Sequence, residues 1–196
     1  MTEDQSGFSP PGPDLARLFE LEDRRSREHW NRSLPVIEVA TDRWQRATSL
    51  GFGAGTSIYH LSYVYGDVSV GENTWIGPYT LLDGSGGLRI GSYCSISSGV
   101  HIYSHNTVKW ALSAGNAPYE RQATEIGDCC FLGPHSVIGM GVTIAPHCVV
   151  GAHSFDNRDG PEYSIIAGTP GRVIGKVEVA TDGAVAFHYD GTEADQ

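Results

Sequence analysis

The chain is 196 residues long, with 40% hydrophobic and 18% charged residues, which suits one globular domain with short appendages. A formal charge of -10 excludes general affinity for nucleic acid or an anionic membrane, since both need a basic surface. Between Ala47 and Asn157 the only cations are Arg89, Lys109 and Arg121, followed by Arg158, Arg172 and Lys176, so a phosphate-bearing ligand must rely on a few specific residues.

Residues 1–50 read as an N-terminal tail and helix. The opening MTEDQSGFSPPGPD is acidic and proline-rich, without the basic start and apolar stretch of a signal peptide, and no run of about 18 apolar residues occurs further along. A cytoplasmic location is expected. After Pro13, the residues Leu15, Leu18, Phe19 and Leu21 recur among charges, the pattern of a helix, expected to cover the open front of the repeat region.

From 51 to 176 an internal repeat organises the chain. Aliphatic residues recur every six positions at Val64, Val70, Ile76 and Leu82; after a two-residue slip in DGSGG they resume at Ile90, Ile96, Ile102 and Val108; a third block runs Ile126, Leu132, Ile138, Ile144, Val150. All are Ile, Leu or Val, types that fill roughly a fifth of an average chain. Period six suits a short strand followed by a bend, and the next residue is usually glycine, as at Gly71, Gly77, Gly91, Gly127, Gly133, Gly139 and Gly151, where a small residue permits the bend. Strand alternation turns the residue two places earlier inward as well. That explains Cys94, Cys130 and Cys148 as buried wall residues, with Cys129 outside the pattern. Three six-residue rungs make one triangular coil, and coils bury their aliphatic rows on one another.

Residues 109–125 break the pattern. A silent coil there would turn Glu120 inward, and an inward carboxylate without a partner is costly, so the segment is predicted to be a loop extruded from the coil, the kind of long loop that usually carries function. At the back, residues 177–196 read as a hairpin or tail: VEVATDGAVAFHY alternates about a turn at Asp182 and Gly183.

The six-residue repeats, the histidine of YSHN followed by an excursion, and the closing IIAGTPGRVIGK resemble the hexapeptide-repeat acyltransferases over Gly51 to Lys176. The stretches SHNTVKWALSAG and PYE look most like members that acetylate sugars or sugar nucleotides in glycan synthesis. The resemblance implies an all-β fold, a left-handed parallel β-helix, assembled as a homotrimer, with acetyl-CoA as acyl donor in the groove between subunits. It implies transfer to a hydroxyl or amine of a small acceptor, with no nucleic acid, membrane insertion or metal involved.

Residue by residue, the family's catalytic base falls on His105; histidine is the side chain suited to take the acceptor's proton near working pH, an unperturbed imidazole having a pKa of about 6.5. Asn106 orients the acceptor or caps the turn, and Asp83, one coil below, steers the imidazole or is a solvated turn residue. Trp110, Tyr119 and Glu120 contact the acceptor or anchor the loop. For the cofactor, the resemblance points to Gly139, Ala145, Gly151 and Ser154 along the pantetheine arm and to Arg172 at the nucleotide end, with Arg158 and Lys176 as further phosphate partners.

Two other readings stay open on the sequence alone. The γ-type carbonic anhydrases share the β-helix and bind zinc through three histidines; His105, His135, His147 and His153 all follow an aliphatic position by three residues, although no pair has that family's H-x-x-x-x-H spacing. A non-catalytic scaffold on the same coil is the third.

Overall fold

The computed structural model describes residues 13–191; the tail expected ahead of the first helix and residues 192–196 lie outside them. The chain divides into two units, Met1–Asp42 and Arg43–Gln196. In the first, helices α1 (Pro13–Trp30) and α2 (Val36–Val39) pack together. Ion pairs one turn apart, Arg25–Glu22 at 2.6 Å and Arg27–Asp23 at 2.8 Å, lace α1. Leu15, Leu18 and Leu21 on the same helix are exposed.

The second unit is the left-handed parallel β-helix, built as three walls of stacked rungs. In the first wall Ile58, Ile76, Ile96, Leu132, Val150 and Ile166 stack in register. Leu82, Ile102 and Ile138 stack in the second, with Val64 before them and Asp156 after. Val70, Ile90, Ile126 and Ile144 form the third. Eleven of the thirteen aliphatic positions are buried, each contributing about 1.5–3 kcal/mol by leaving water. Val64 is half-buried against this core. Val108 corrects the predicted register: it is 59% exposed on a short helix, because the chain has already left the coil.

The small inward residues have a second role. At the corner between the third and first walls, the bend carbonyl accepts from a hydroxyl or thiol of the preceding coil: Thr56 to Gly71, Thr74 to Gly91, Cys94 to Gly127, Cys130 to Ala145 and Cys148 to Pro161. Buried backbone acceptors are thereby satisfied without a bulky side chain. Cys94, Cys130 and Cys148 are buried and Cys129 is exposed, as the alternation requires.

Within this unit the front rung is closed by α3 (Arg43–Ser49), which falls inside the region expected from sequence to be tail and first helix. Its Ala47 is buried, and Arg46 donates to the Ser62 carbonyl at 2.8 Å. At the back, Gly171–Val179 runs antiparallel to Ser164–Gly168 and then pairs with Val185–Tyr189. The hairpin turns where expected, with Gly183 at φ +87 and the Ala184 amide on Asp182. No helix among the described residues is long and apolar enough to cross a membrane.

Candidate active site

Two irregularities meet at the corner between the second and third walls. The first is the two-residue slip: Gly66 pairs with Gly84 but Val68 with Leu88, so the chain bulges at Ser85, Gly86 and Gly87. The second is the excursion, which leaves after Ser104 and returns at Gln122, whose amide donates to the Ser104 carbonyl at 3.0 Å. Ile96 and Ile102 stack directly on Leu132 and Ile138, so the excursion spends one coil's worth of residues and preserves the phase. Gly86 is required where the two meet, since a Cβ there would lie 2.3 Å from the Ser104 carbonyl oxygen.

Asp83 and His105 come together at this corner. Asp83 is fully buried and accepts hydrogen bonds from the Ser85 amide at 2.9 Å, the Ser104 amide at 3.0 Å and His105 Nδ1 at 2.5 Å. Ser104 Oγ locks the turn, donating to the Asp83 carbonyl at 2.6 Å and accepting from the Gly86 amide at 2.8 Å. Burial pushes the Asp83 carboxyl up, but hydrogen bonds from Ser85, His105 and the Ser104 amide outweigh it and bring the pKa down from 3.8 to about 2. The aspartate is therefore ionised, fixes the ring orientation and holds the proton on Nδ1, leaving Nε2 as the basic nitrogen. The imidazole retains 31% of its exposure, enough to meet a ligand.

The excursion starts as a two-stranded antiparallel ladder, His105 opposite Arg121 and Asn106 opposite Glu120. Directly opposed residues share a face, so His105 and Arg121 lie on one side and Asn106 and Glu120 on the other. Asn106 Oδ1 accepts the Val108 amide at 3.1 Å, capping the turn into α4 (Val108–Leu112). Glu120 pairs with Lys109 at 2.5 Å, and that hydrogen bond is the main cause holding its carboxyl below the usual range. Trp110 and Tyr119 pack edge to face, 5.4 Å between centroids, and both are exposed. The geometry thus gathers Asp83, His105 and Arg121, with Tyr119 two residues along from Arg121, and leaves Asn106 and Glu120 on the opposite face.

The residues expected to contact the cofactor are more scattered. Gly139, Ala145 and Gly151 follow the second, third and first walls, one at each corner of the coil, and their amides already donate to Asp156, Gly160 and Ile166. Ser154 is buried and accepts the Gly168 amide. Gly139 shares the corner of His105. So does Arg158, two coils further on, about 10 Å along the axis at the usual spacing of strands. Arg172 and Lys176 are exposed on the strand Gly171–Val179, and the Arg172 guanidinium donates to the Gly171 carbonyl at 2.7 Å. The histidines of the zinc reading divide among the corners: His135 stacks on His153 at 5.2 Å, His147 on Tyr163 at 4.7 Å, and His105 stands apart from both pairs.

Two residues escape the pattern read from sequence. Arg121 carries no periodic signal, because its place beside His105 is created by antiparallel pairing. Asp156 stands one period beyond Val150, at an aliphatic position under Ile138. It is 2% exposed, and neither carboxylate oxygen has a hydrogen-bond partner among the described residues.

No family model matches the chain. Among curated proteins it is 28% identical over 129 residues to the galactoside O-acetyltransferase of Escherichia coli K12, covering 56% of this chain and 64% of that protein. It is also 28% identical over 116 residues to the Escherichia coli dTDP-4-amino-4,6-dideoxy-D-glucose acyltransferase, covering 56% of this chain and 60% of that one. The chain thus spans less than two thirds of the length of these relatives. Among solved structures, a point mutant of AntD, an N-acyltransferase from Bacillus cereus, in complex with dTDP and coenzyme A, superposes with a TM-score of 0.57 at 21% identity over 67% of this chain and 88% of that one. A maltose O-acetyltransferase from Clostridium difficile 630 gives 0.57 at 23% identity over 85% and 89%. At such identities these two likenesses speak to the fold. With its six-residue repeat, the chain shares the left-handed β-helix fold of these solved acyltransferases.

Proposed function

We propose that the protein is an acyltransferase that moves an acetyl group from acetyl-CoA to a hydroxyl or amine of a sugar or sugar nucleotide. The observation that carries this reading is the Asp83–His105 pair: an ionised, buried aspartate holding a partly exposed imidazole at the mouth of the excursion. His105 Nε2 takes the proton from the acceptor as its oxygen or nitrogen attacks the thioester carbonyl. The new C–O or C–N bond forms, the C–S bond breaks, and the proton passes from the imidazolium to the departing thiolate of coenzyme A. Asp83 stabilises the imidazolium between those steps without itself taking a proton.

The cofactor reading draws on the residues along the same corner. Arg158 lies further along the coil from His105, which suits a donor whose thiol reaches the histidine while its phosphates lie toward the C-terminal end. Arg172 and Lys176 add exposed cations there. The similar dTDP-sugar and galactoside acyltransferases support a sugar acceptor, and the exposed Trp110–Tyr119 pair offers aromatic faces to one.

A homotrimer follows from the same reading. Gly139, Ala145 and Gly151 sit on three different corners of one chain, so a groove lined by more than one of them is completed by a neighbour. Acetyl-CoA is available in the cytoplasm, where this reading places the protein. The test is a panel of free sugars and nucleotide sugars with acetyl-CoA, following release of free thiol. Acceptor-dependent release supports the assignment, and silence across the panel from protein that binds no coenzyme A sinks it.

A further inference from the structure

We propose that Arg121 forms an anion subsite beside His105 and restricts the acceptor to sugars that carry a negative charge close to the reacting hydroxyl or amine. This deepens the acyl-transfer reading and rests on it for the identity of the reaction, but the subsite itself follows from charge and register alone.

The antiparallel pairing of His105 with Arg121 puts both side chains on one face, with Cβ atoms about 5 Å apart. Asp83 occupies Nδ1 of the imidazole, so an acceptor poised at Nε2 lies within a single side chain's reach of the guanidinium. The carboxylate next in sequence cannot neutralise Arg121: Glu120 points to the opposite face and is taken by Lys109 at 2.5 Å.

Of the two cations in the excursion, Lys109 and Arg121, only Lys109 has an ion-pair partner among the described residues. Arg121 has no carboxylate within ion-pair distance among the described residues, in a chain with 23 acidic residues against 13 basic ones. Its one described side-chain contact is with the Tyr119 ring, 5.8 Å from guanidinium carbon to centroid, and Tyr119 is braced by Trp110. A loose cation–π contact orients the guanidinium and leaves its donors free for a bidentate anion.

Coenzyme A is not that anion. Its phosphates lie a full pantetheine arm from its thiol, and the thiol end is what must meet His105. The anion therefore belongs to the acceptor. It is either a carboxylate on the sugar, as in a uronic acid, or a phosphate attached to it, as in a sugar phosphate or nucleotide sugar.

The experiment uses matched acceptors: a neutral sugar, its uronic acid, its 1-phosphate and its nucleoside diphosphate form, each assayed by thiol release and by calorimetric binding. Wild type, Arg121→Gln and Arg121→Lys are compared. We expect kcat/KM to favour one charged form over the neutral sugar, with the preferred member telling carboxylate from phosphate. Arg121→Gln should collapse that preference by about ten- to a hundredfold, the range for a lost hydrogen bond to a charged group. The loss should sit in KM for the acceptor, with KM for acetyl-CoA unmoved, and Arg121→Lys should restore part of it. A charged-to-neutral ratio unchanged in Arg121→Gln overturns the subsite while leaving acyl transfer standing. Binding of a charged sugar that disappears in Arg121→Gln, without thiol release in wild type, keeps the subsite and removes the acyl-transfer reading. Failure of wild type to bind any charged member overturns the subsite outright.

Discussion

Two aspartates on the second wall of the coil meet opposite fates. Asp83, in the second coil, is buried at a break in the repeat, accepts three hydrogen bonds and is held ionised with a pKa of about 2. Asp156, near the C-terminal end of the coil and just before a shortened turn, where Ile144 pairs with Gly160 and Val150 with Ile166, has no hydrogen-bond partner among the described residues, and burial raises its pKa from 3.8 to about 6. The same residue type at nearly the same depth is thus a stabilised anion in one place and, in the other, a carboxyl that ionises only at a cost to the fold. What differs is the backbone: the bulge at Ser85–Gly87 and the departure at Ser104 free amide donors that a regular rung spends on its neighbours. Amide donors within reach, in this fold, are what make a buried charge usable.

Substitutions can break that contrast, beginning with the largest effect. Asp83→Ala should lower turnover by about a hundredfold or more, since an unsteered imidazole loses its tautomer and position, whereas Asp156→Val should leave turnover close to wild type in the thiol-release assay. Stability should separate them with opposite signs. A rise in pKa from 3.8 to about 6 corresponds to roughly 3 kcal/mol lost once Asp156 ionises. The folded carboxyl keeps its proton above the pH at which the unfolded one has lost it, so the loss grows as pH rises from about 4 through 6 and is complete above. Asp156→Val should therefore stabilise the protein by up to about 3 kcal/mol at neutral pH, seen as a raised denaturation midpoint, and the gain should vanish below about pH 4.

For Asp83 the sign reverses. Its stabilisation is present above the ordinary carboxylate range and is lost as pH falls through about 2. Asp83→Ala should cost about 1–3 kcal/mol at neutral pH, because the Ser85 and Ser104 amides are left unsatisfied. Thiol labelling sharpens the contrast at the smallest scale. Cys129 should react first but slowly at neutral pH, since partial burial and the neighbouring Asp128 push its thiol up. Cys148, in the coil of Asp156, should label more slowly in Asp156→Val than in wild type at the same pH, while Cys94, next to the Asp83 coil, should not change. Equal slowing at both cysteines would mean that the effect of Asp156 is global.

Much of this is legible in the residues themselves, and the exceptions have physical causes. The walls are readable because burying one residue in six leaves a period that chance does not imitate. The DGSGG slip marks the bulge that holds Asp83, and YSHN marks the departure. Val108 is carried one rung too far because the excursion is as long as a coil and keeps its phase. The cost of an inward carboxylate correctly expels Glu120 from the core, yet Asp156 bears that cost, at a rung where extending the register past Val150 would have flagged it. Strand alternation from Asp156 would likewise have turned Ser154 inward. Arg121 has no such signal: a loop residue acquires its neighbours from the three-dimensional pairing of His105 with the returning strand.

At the centre of the proposed chemistry, His105, steered by Asp83, moves the acceptor's proton while other residues hold the donor. The direct measurement is turnover and coenzyme A affinity of His105→Ala on the acceptor that wild type uses. Turnover should fall by a factor on the order of 10² to 10⁴, with the dissociation constant for coenzyme A nearly unchanged. Near-normal turnover, or a loss confined to coenzyme A binding, would contradict it.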